Sequence, residues 1–307
     1  MSNYLEKIKI GAFACEYGDL KRSPESIEDF TNLCSSLKID SHFNLLGCGS
    51  FWQMTKPVEF YIARSIEKTL AESNIAADRV DRIVFSTTDS VMQDINTQLA
   101  AHILEKLNLV NCVPIFISMQ QCASSMAALD HAHYLFENNN VNNVIVVSID
   151  YIVEESKRIT PYALFGDAVA SCMVSRGDNA GFSLMSYSVN LDFSGLVGKD
   201  DFNSRKAVAK KCLDEVLSVH HLSMDNVEKY FSTNLFKPLA LFNSATFGVS
   251  KSKLYIETLF DRAHCGNSDW MINLIDYLDS VGIQRGKYYL IQSSAPGFFS
   301  CALIKSL

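Results

Sequence analysis

Residues Asn143–Ile149 read NVIVVSI, an unbroken apolar run of strand length. It has neither a helical nor an alternating period, as expected of a strand covered on both faces. Such a strand needs helices above and below it, and the chain supplies them in alternation. Lys7–Phe13, Arg82–Ser86 (RIVFS), Val113–Ser118 (VPIFIS) and Ala168–Val174 read as further strands. Thr55–Ser73, with Val58, Ile62, Ile66 and Leu70 every four residues, Ile95–Leu107 and Ala123–Asn138 read as helices. After the polar stretch Ser175–Gly181 (SRGDNAG) the grammar returns. It gives strand Ser183–Val189, helix Ser204–Val219, a strand ending over Val227–Phe231, helix Ser268–Val281, and strands Tyr288–Gln292 and Phe298–Ile304. The pattern predicts an α/β chain of parallel sheets faced by helices. Two similar halves, residues 1–177 and 178–307, suggest an internal duplication, although no residue-level repeat is visible.

Charge narrows the function. Lys and Arg number 27 against 34 Asp and Glu, a net −7, which argues against a general nucleic-acid binder, since phosphate contact needs a basic face. No apolar run approaches the roughly 20 residues that span a bilayer, and MSNYLEKIKIGAF lacks a secretory apolar region. The expectation is a cytoplasmic protein with no membrane partner. Its nine cysteines, at 15, 34, 48, 112, 122, 172, 212, 265 and 301, are then reduced thiols, and without a CxxC pair no metal site is expected.

Of the nine, Cys122 stands apart. In VPIFISMQQCASSMAALDHAHYLF a buried strand ends, a short turn follows, and Cys122 sits where a helix begins. Backbone N–H groups at a helix N-terminus are unpaired and carry partial positive charge. They favour an anion and can donate to a developing oxyanion. Ala123, Ser124, Ser125, Ala127 and Ala128 let that helix approach the sheet closely. A buried cysteine is more often only a small hydrophobe; the strand–turn–helix setting lifts Cys122 above that reading.

With these residues in view, the chain resembles the ketoacyl synthase III branch of the thiolase superfamily. The resemblance rests on the Cys at the head of a helix, on LFGDAVASCMV (164–174), on AHCGNSDW (263–270) and on SSAPGFFSCALI (293–304), four motifs in the family's order. It implies a thiolase fold: a duplicated five-layer αβαβα architecture with mixed, mainly parallel sheets. It implies a homodimer as well, with the Val113–Ser118 strand as the candidate edge.

The departures are informative. Condensing members of the family use Cys, His and Asn, the His lying in a His-x-x-Asn-Leu segment. Here the segment is Phe231-Ser232-Thr233-Asn234-Leu235, so Phe231, which cannot donate a hydrogen bond, holds the His position. Asn267 keeps the Asn of the Gly-Asn loop. The Gly-rich turn has become Ser294-Ala295-Pro296-Gly297, and Pro296 has no N–H. A smaller branch, acyltransferases of secondary metabolism, has a Cys-His-Asp set with a His-x-Gly-x-x-Asp pattern in this loop. His264-Cys-Gly266-Asn-Ser-Asp269 matches it residue by residue. Taken singly, His264 reads as a solvated loop residue and Asp269 as a cap.

The resemblance therefore implies an acyltransferase with Cys122 as nucleophile, His264 as base and Asp269 as its orienting carboxylate. The oxyanion would be held by the backbone of Cys122 and of Ala295 or Gly297. Asn234, Asn267, Ser232, Thr233 and Phe231 would support the site or the substrate. No permanently bound cofactor is expected; the substrate is an acyl thioester on phosphopantetheine, carried by an acyl carrier protein or by CoA, with a small-molecule or carrier acceptor. Carrier docking is assigned to Lys237 and to Arg205, Lys206, Lys210 and Lys211, although the last four read equally as a solvated helix face. Two alternatives stand beside this: a decarboxylative condensing enzyme of the synthase III type, and a non-catalytic partner subunit of such an enzyme.

Overall fold

The computed structural model describes residues 8–88, 95–137, 140–176, 181–199 and 201–307. Lys7, Asn138 and the boundary between residues 177 and 178 lie outside them. The main sheet takes five strands from the first part of the chain: β1 (Lys9–Tyr17), β2 (Arg82–Thr87), β3 (Val113–Ile117), β4 (Asn143–Asp150) and β5 (Ala168–Ser175), while Leu20–Arg22 and Phe51–Gln53 pair apart from it. Five come from the second: β6 (Phe182–Leu191), β7 (Val227–Phe231), β8 (Leu254–Tyr255), β9 (Tyr288–Ala295) and β10 (Phe298–Ser306). The first set lies in the order β1-β5-β4-β2-β3 and the second in the order β6-β10-β9-β7-β8, the same permutation twice. The sets meet where β1 pairs antiparallel with β6 over Lys9↔Ser183 and Ile10↔Phe182, making one ten-stranded mixed sheet.

Parallel pairing is confined to the two outer ends, β2 with β3 and β4, and β7 with β8 and β9. The pairings between them are antiparallel, so the parallel majority expected from the alternation holds only toward the edges. The reason is visible at Pro296-Gly297: two residues cannot cross over a sheet, so β9 and β10 must form a hairpin.

Side chains alternate along each strand between two cores, which is why the strands read as continuous apolar runs. Helices α1 (Val58–Ser73) and α2 (Thr97–Lys106) cover the outer face of the first set, where Tyr61, Ile66 and Ile103 pack with Ile83 and Val147. Helices α4 (Phe202–Ser218) and α5 (Lys237–Thr246) cover the outer face of the second, through Leu213, Val216 and Ala240 with Leu290 and Leu303. Between the sets lie α3 (Ser124–Leu135) and α6 (Asp269–Val281). Their Met126, Leu129, Trp270 and Leu274 share one core with Val84 and Val146 on one side and Ile291 and Ile304 on the other. The order helix, sheet, helix, sheet, helix gives five layers. All nine cysteines are free thiols. Among the described residues no helix is long and apolar enough to cross a membrane, and no three His, Cys, Asp or Glu side chains gather as a metal site.

Candidate active site

The middle layer brings the two halves of the chain together. β3 stops at Ile117, and a tight turn over Gln121–Ala123 leads into α3. Gln121 holds φ +50, a left-handed conformation uncommon away from glycine. This kink sets Cys122 at the head of α3, 5% exposed. Its Sγ lies 3.4 Å from Nε2 of His264. The other ring nitrogen, Nδ1, lies 2.5 Å from Oδ2 of Asp269. Asp269 opens α6, and its carboxylate also accepts the N–H groups of Asn234 at 2.6 Å and Cys265 at 2.7 Å.

His264 is held from its backbone outward. Its N–H donates to the Leu164 carbonyl at 2.8 Å, and its own carbonyl accepts from Gly166 N–H at 2.9 Å. The Phe165 ring rests against the imidazole with centroids 4.5 Å apart. A Cβ on Gly166 would stand 2.5 Å from the Arg262 carbonyl oxygen, so only glycine fits. Asp167 anchors this clamp: it accepts from both terminal nitrogens of the buried Arg158 at 2.8 and 3.1 Å, and from the N–H groups of Met54 and Ile152. The LFGD segment thus works as a bracket for the histidine.

Burial alone would push the His264 imidazole down. The Asp269 carboxylate, with Cys122 on the far side, outweighs it and holds the imidazolium well above the ordinary histidine value. A proton on His264 is therefore stabilised between a carboxylate and a sulfur, the arrangement that lets a nucleophile hand over its proton and recover it.

The other expected site residues divide. Asn234 belongs to the assembly: its N–H binds Asp269, and its side-chain amide donates to Thr258 Oγ1 and to the carbonyl of Ala263, the residue before His264. Asn267 is fully buried and both its amide atoms are engaged, Nδ2 by Asp150 and Oδ1 by Ser86 Oγ at 2.9 Å. Phe231 does not join the site. Its ring is buried in an aromatic cluster with Tyr255, Tyr277 and Tyr289, because β7 turns that side chain into the middle core. Thr233 Oγ1 accepts the Ser294 N–H at 3.1 Å, and Ser232 lies buried beside it.

The β9–β10 hairpin packs against the Gln121–Ala123 turn. In it Ala295 pairs with Phe298, and Gly297, at φ +85, abuts Gly195. Lys206, Lys210 and Lys211 are exposed on α4, Lys211 3.8 Å from Glu215, while Arg205 is half-buried. Lys237 is exposed at the start of a different helix, α5, so the five cations do not form one cluster on one element. Sequence reasoning missed Phe165, Gly166 and Asp167 as the histidine bracket, although their motif was in view. It also missed Asp150, whose only signal is a lone acidic residue ending an apolar strand.

Comparison with known proteins agrees with this architecture. Residues 118–192 match the family model of 3-oxoacyl-[acyl-carrier-protein] synthase III. The chain is 26% identical over 206 residues to the 2-heptyl-4(1H)-quinolone synthase subunit PqsC of Pseudomonas aeruginosa, covering 61% of this chain and 58% of that protein. It is 28% identical over 138 residues to the beta-ketoacyl-[acyl-carrier-protein] synthase III of Chlamydia caviae, covering 44% of this chain and 39% of that one. The chain thus spans about half the length of the curated relatives it matches. Among solved structures, the acyltransferase ChlB3 superposes with TM-score 0.84 at 13% identity over 98% of both chains. OleA of Xanthomonas campestris superposes with TM-score 0.82 at 12% identity over 97% of this chain and 98% of that one. By its five layers, its doubled strand order and these matches, the chain has the thiolase fold and is similar to the ketoacyl synthase III family.

Proposed function

We propose that this chain is an acyltransferase that carries an acyl group on Cys122 from a phosphopantetheine thioester to an oxygen or nitrogen acceptor. The observation that carries the reading is the line from Cys122 Sγ through His264 to Asp269. In the first half-reaction His264 Nε2 holds the Cys122 proton while the thiolate attacks the thioester carbonyl. The tetrahedral oxyanion collapses, the carrier's C–S bond breaks, and its sulfur leaves with the proton from the imidazolium. In the second half the acceptor gives its proton to Nε2 and attacks the acyl carbonyl, and Cys122 leaves as thiolate. Asp269 holds the ring and balances its charge throughout. Backbone N–H groups of Cys122 and of the Ala295–Gly297 turn are the oxyanion donors in this scheme.

Transfer to a heteroatom is favoured over decarboxylative condensation by the fate of the two enolate donors that condensing relatives use. Phe231 faces the core and has no proton to give, and the Asn267 amide already gives one of its two N–H groups to Asp150 while its oxygen accepts from Ser86. The donor is an acyl carrier protein or acyl-CoA, met at Lys237 and the basic face of α4, and the working unit is a cytoplasmic homodimer of secondary metabolism. Intact mass after incubation with acyl-CoA and acyl-carrier thioesters tests this. The wild type should gain the acyl mass and Cys122→Ala should not; an unmodified wild type with both donors overturns it.

A further inference from the structure

The carboxyl of Asp150 closes β4, takes no part in the proton line, and is 5% exposed. Its Oδ2 accepts from the Asn267 N–H at 2.8 Å, from Asn267 Nδ2, and from Ser268 Oγ at 3.5 Å. Its Oδ1 accepts from the Thr88 N–H at 3.0 Å. Gly266, at φ +56, is pressed onto the same group: a Cβ there would stand 2.2 Å from Asp150 Cγ. The turn Gly266–Ser268 lies between His264 and Asp269 in the chain. It also reaches the nucleophile helix, because Ser125 Oγ donates to the Asn267 carbonyl and accepts from Trp270 Nε1 at 2.9 Å.

We infer that Asp150 is a positioning residue whose carboxylate, seated under the Gly266–Ser268 turn, keeps His264 and Asp269 in register with Cys122 and Asn267 turned out of the site. The inference rests on the acyl-transfer reading and adds the group that fixes which reaction the loop can support. Three N–H donors converge on Asp150, two of them on Oδ2, so a proton on that oxygen would displace one. Burial pushes the carboxyl up to about 7, against the pull of the Thr88 and Asn267 hydrogen bonds. The latch therefore closes as pH rises through neutrality. Titratable groups around it are His264 and Cys265, which sense its charge, with Asp269 at the end of the same loop and Asp167 acting on Cys265. Among the described residues, the α3 side brings the Cys122 thiol and the Ser125 hydroxyl, and Thr88 brings its amide N–H. Against the cost of burial, Asp269 and Cys122 hold the His264 imidazolium above the ordinary histidine value.

The test is the rate at which iodoacetamide alkylates Cys122, read by intact mass across the neutral pH range in the wild type and in Asp150→Asn. The wild type should show a step centred near 7 that Asp150→Asn lacks, the variant staying at or below the low-pH rate of the wild type. Turnover in Asp150→Asn should fall on the order of 10²-fold, the effect of a small misplacement of reacting groups. The same step in both proteins overturns the inference. If the variant does not fold, the wild-type profile decides: a step near neutrality upholds the latch and a flat profile overturns it. Acyl-enzyme formation from acyl-CoA and acyl-carrier thioesters is read in the same samples. Its absence from a wild type that keeps the step removes the acyl-transfer reading and leaves the latch standing.

Discussion

Sulfur, imidazole and carboxylate make different demands on substitution. Cys122→Ala should abolish both acyl-enzyme and turnover, since no other thiol stands at the head of a helix facing an imidazole. His264→Ala should slow transfer on the order of 10²–10⁴-fold, the usual effect of removing a general base. Asp269→Asn should be costly as well, because a neutral amide can favour the wrong tautomer; near-normal transfer in either variant, measured by product release, would remove that residue from the line. The raised His264 value adds a stability signature. A group whose folded value lies above its unfolded one contributes stability fully below about pH 6.5 and loses it as pH rises through the folded value. Thermal melts of the wild type should therefore fall with rising alkalinity more steeply than those of His264→Ala. Cys122 stood out by its strand–turn–helix setting, and His264 and Asp269 by the resemblance of their loop to the His-x-Gly-x-x-Asp pattern. Asp150 did not, since a single acidic residue after NVIVVSI carries no period, and its partners at 88 and 267 are distant in the chain.

At the scale of elements, the LFGD segment joins two parts of the fold through one histidine. Asp167 is the pivot, and its partner Arg158 is wholly buried. Arg158→Met leaves a buried carboxylate unpaired and should destabilise the protein by about 3–5 kcal/mol, measured by denaturant unfolding; a loss under about 1 kcal/mol, the range of a surface pair, would contradict the bracket. The alternation of runs made most elements readable, and the expected strands fall within a few residues of β1 to β7, β9 and β10. Helix α5 went unread because its exposed Phe242 interrupts the amphipathic period, although Pro238 near its start is an ordinary helix-opening signal. Strand direction was not legible either, because an apolar run looks the same whichever way its neighbour points.

At the scale of the whole molecule, one sheet edge is left open. β3 lies at the end of the strand order with Val113 and Phe116 about half exposed, and Met119 beyond it is 82% exposed. Apolar edges of this kind invite pairing with another chain. Light scattering should give twice the 34.3 kDa chain mass, and Phe116→Lys should shift it toward one; a monomeric wild type at micromolar concentration would contradict the dimer. The doubled strand order has a consequence for manufacture. Chains leave the ribosome from the N-terminal end, so Cys122 is made long before the loop that holds His264 and Asp269. Until Trp270 and its helix arrive, one side of α3 and the facing strands have nothing to pack on. The newborn half would expose that apolar surface and lack His264. On the proposed mechanism, Cys122 would have no base beside it until the second half has closed over it, and activity would report that synthesis has finished the seam.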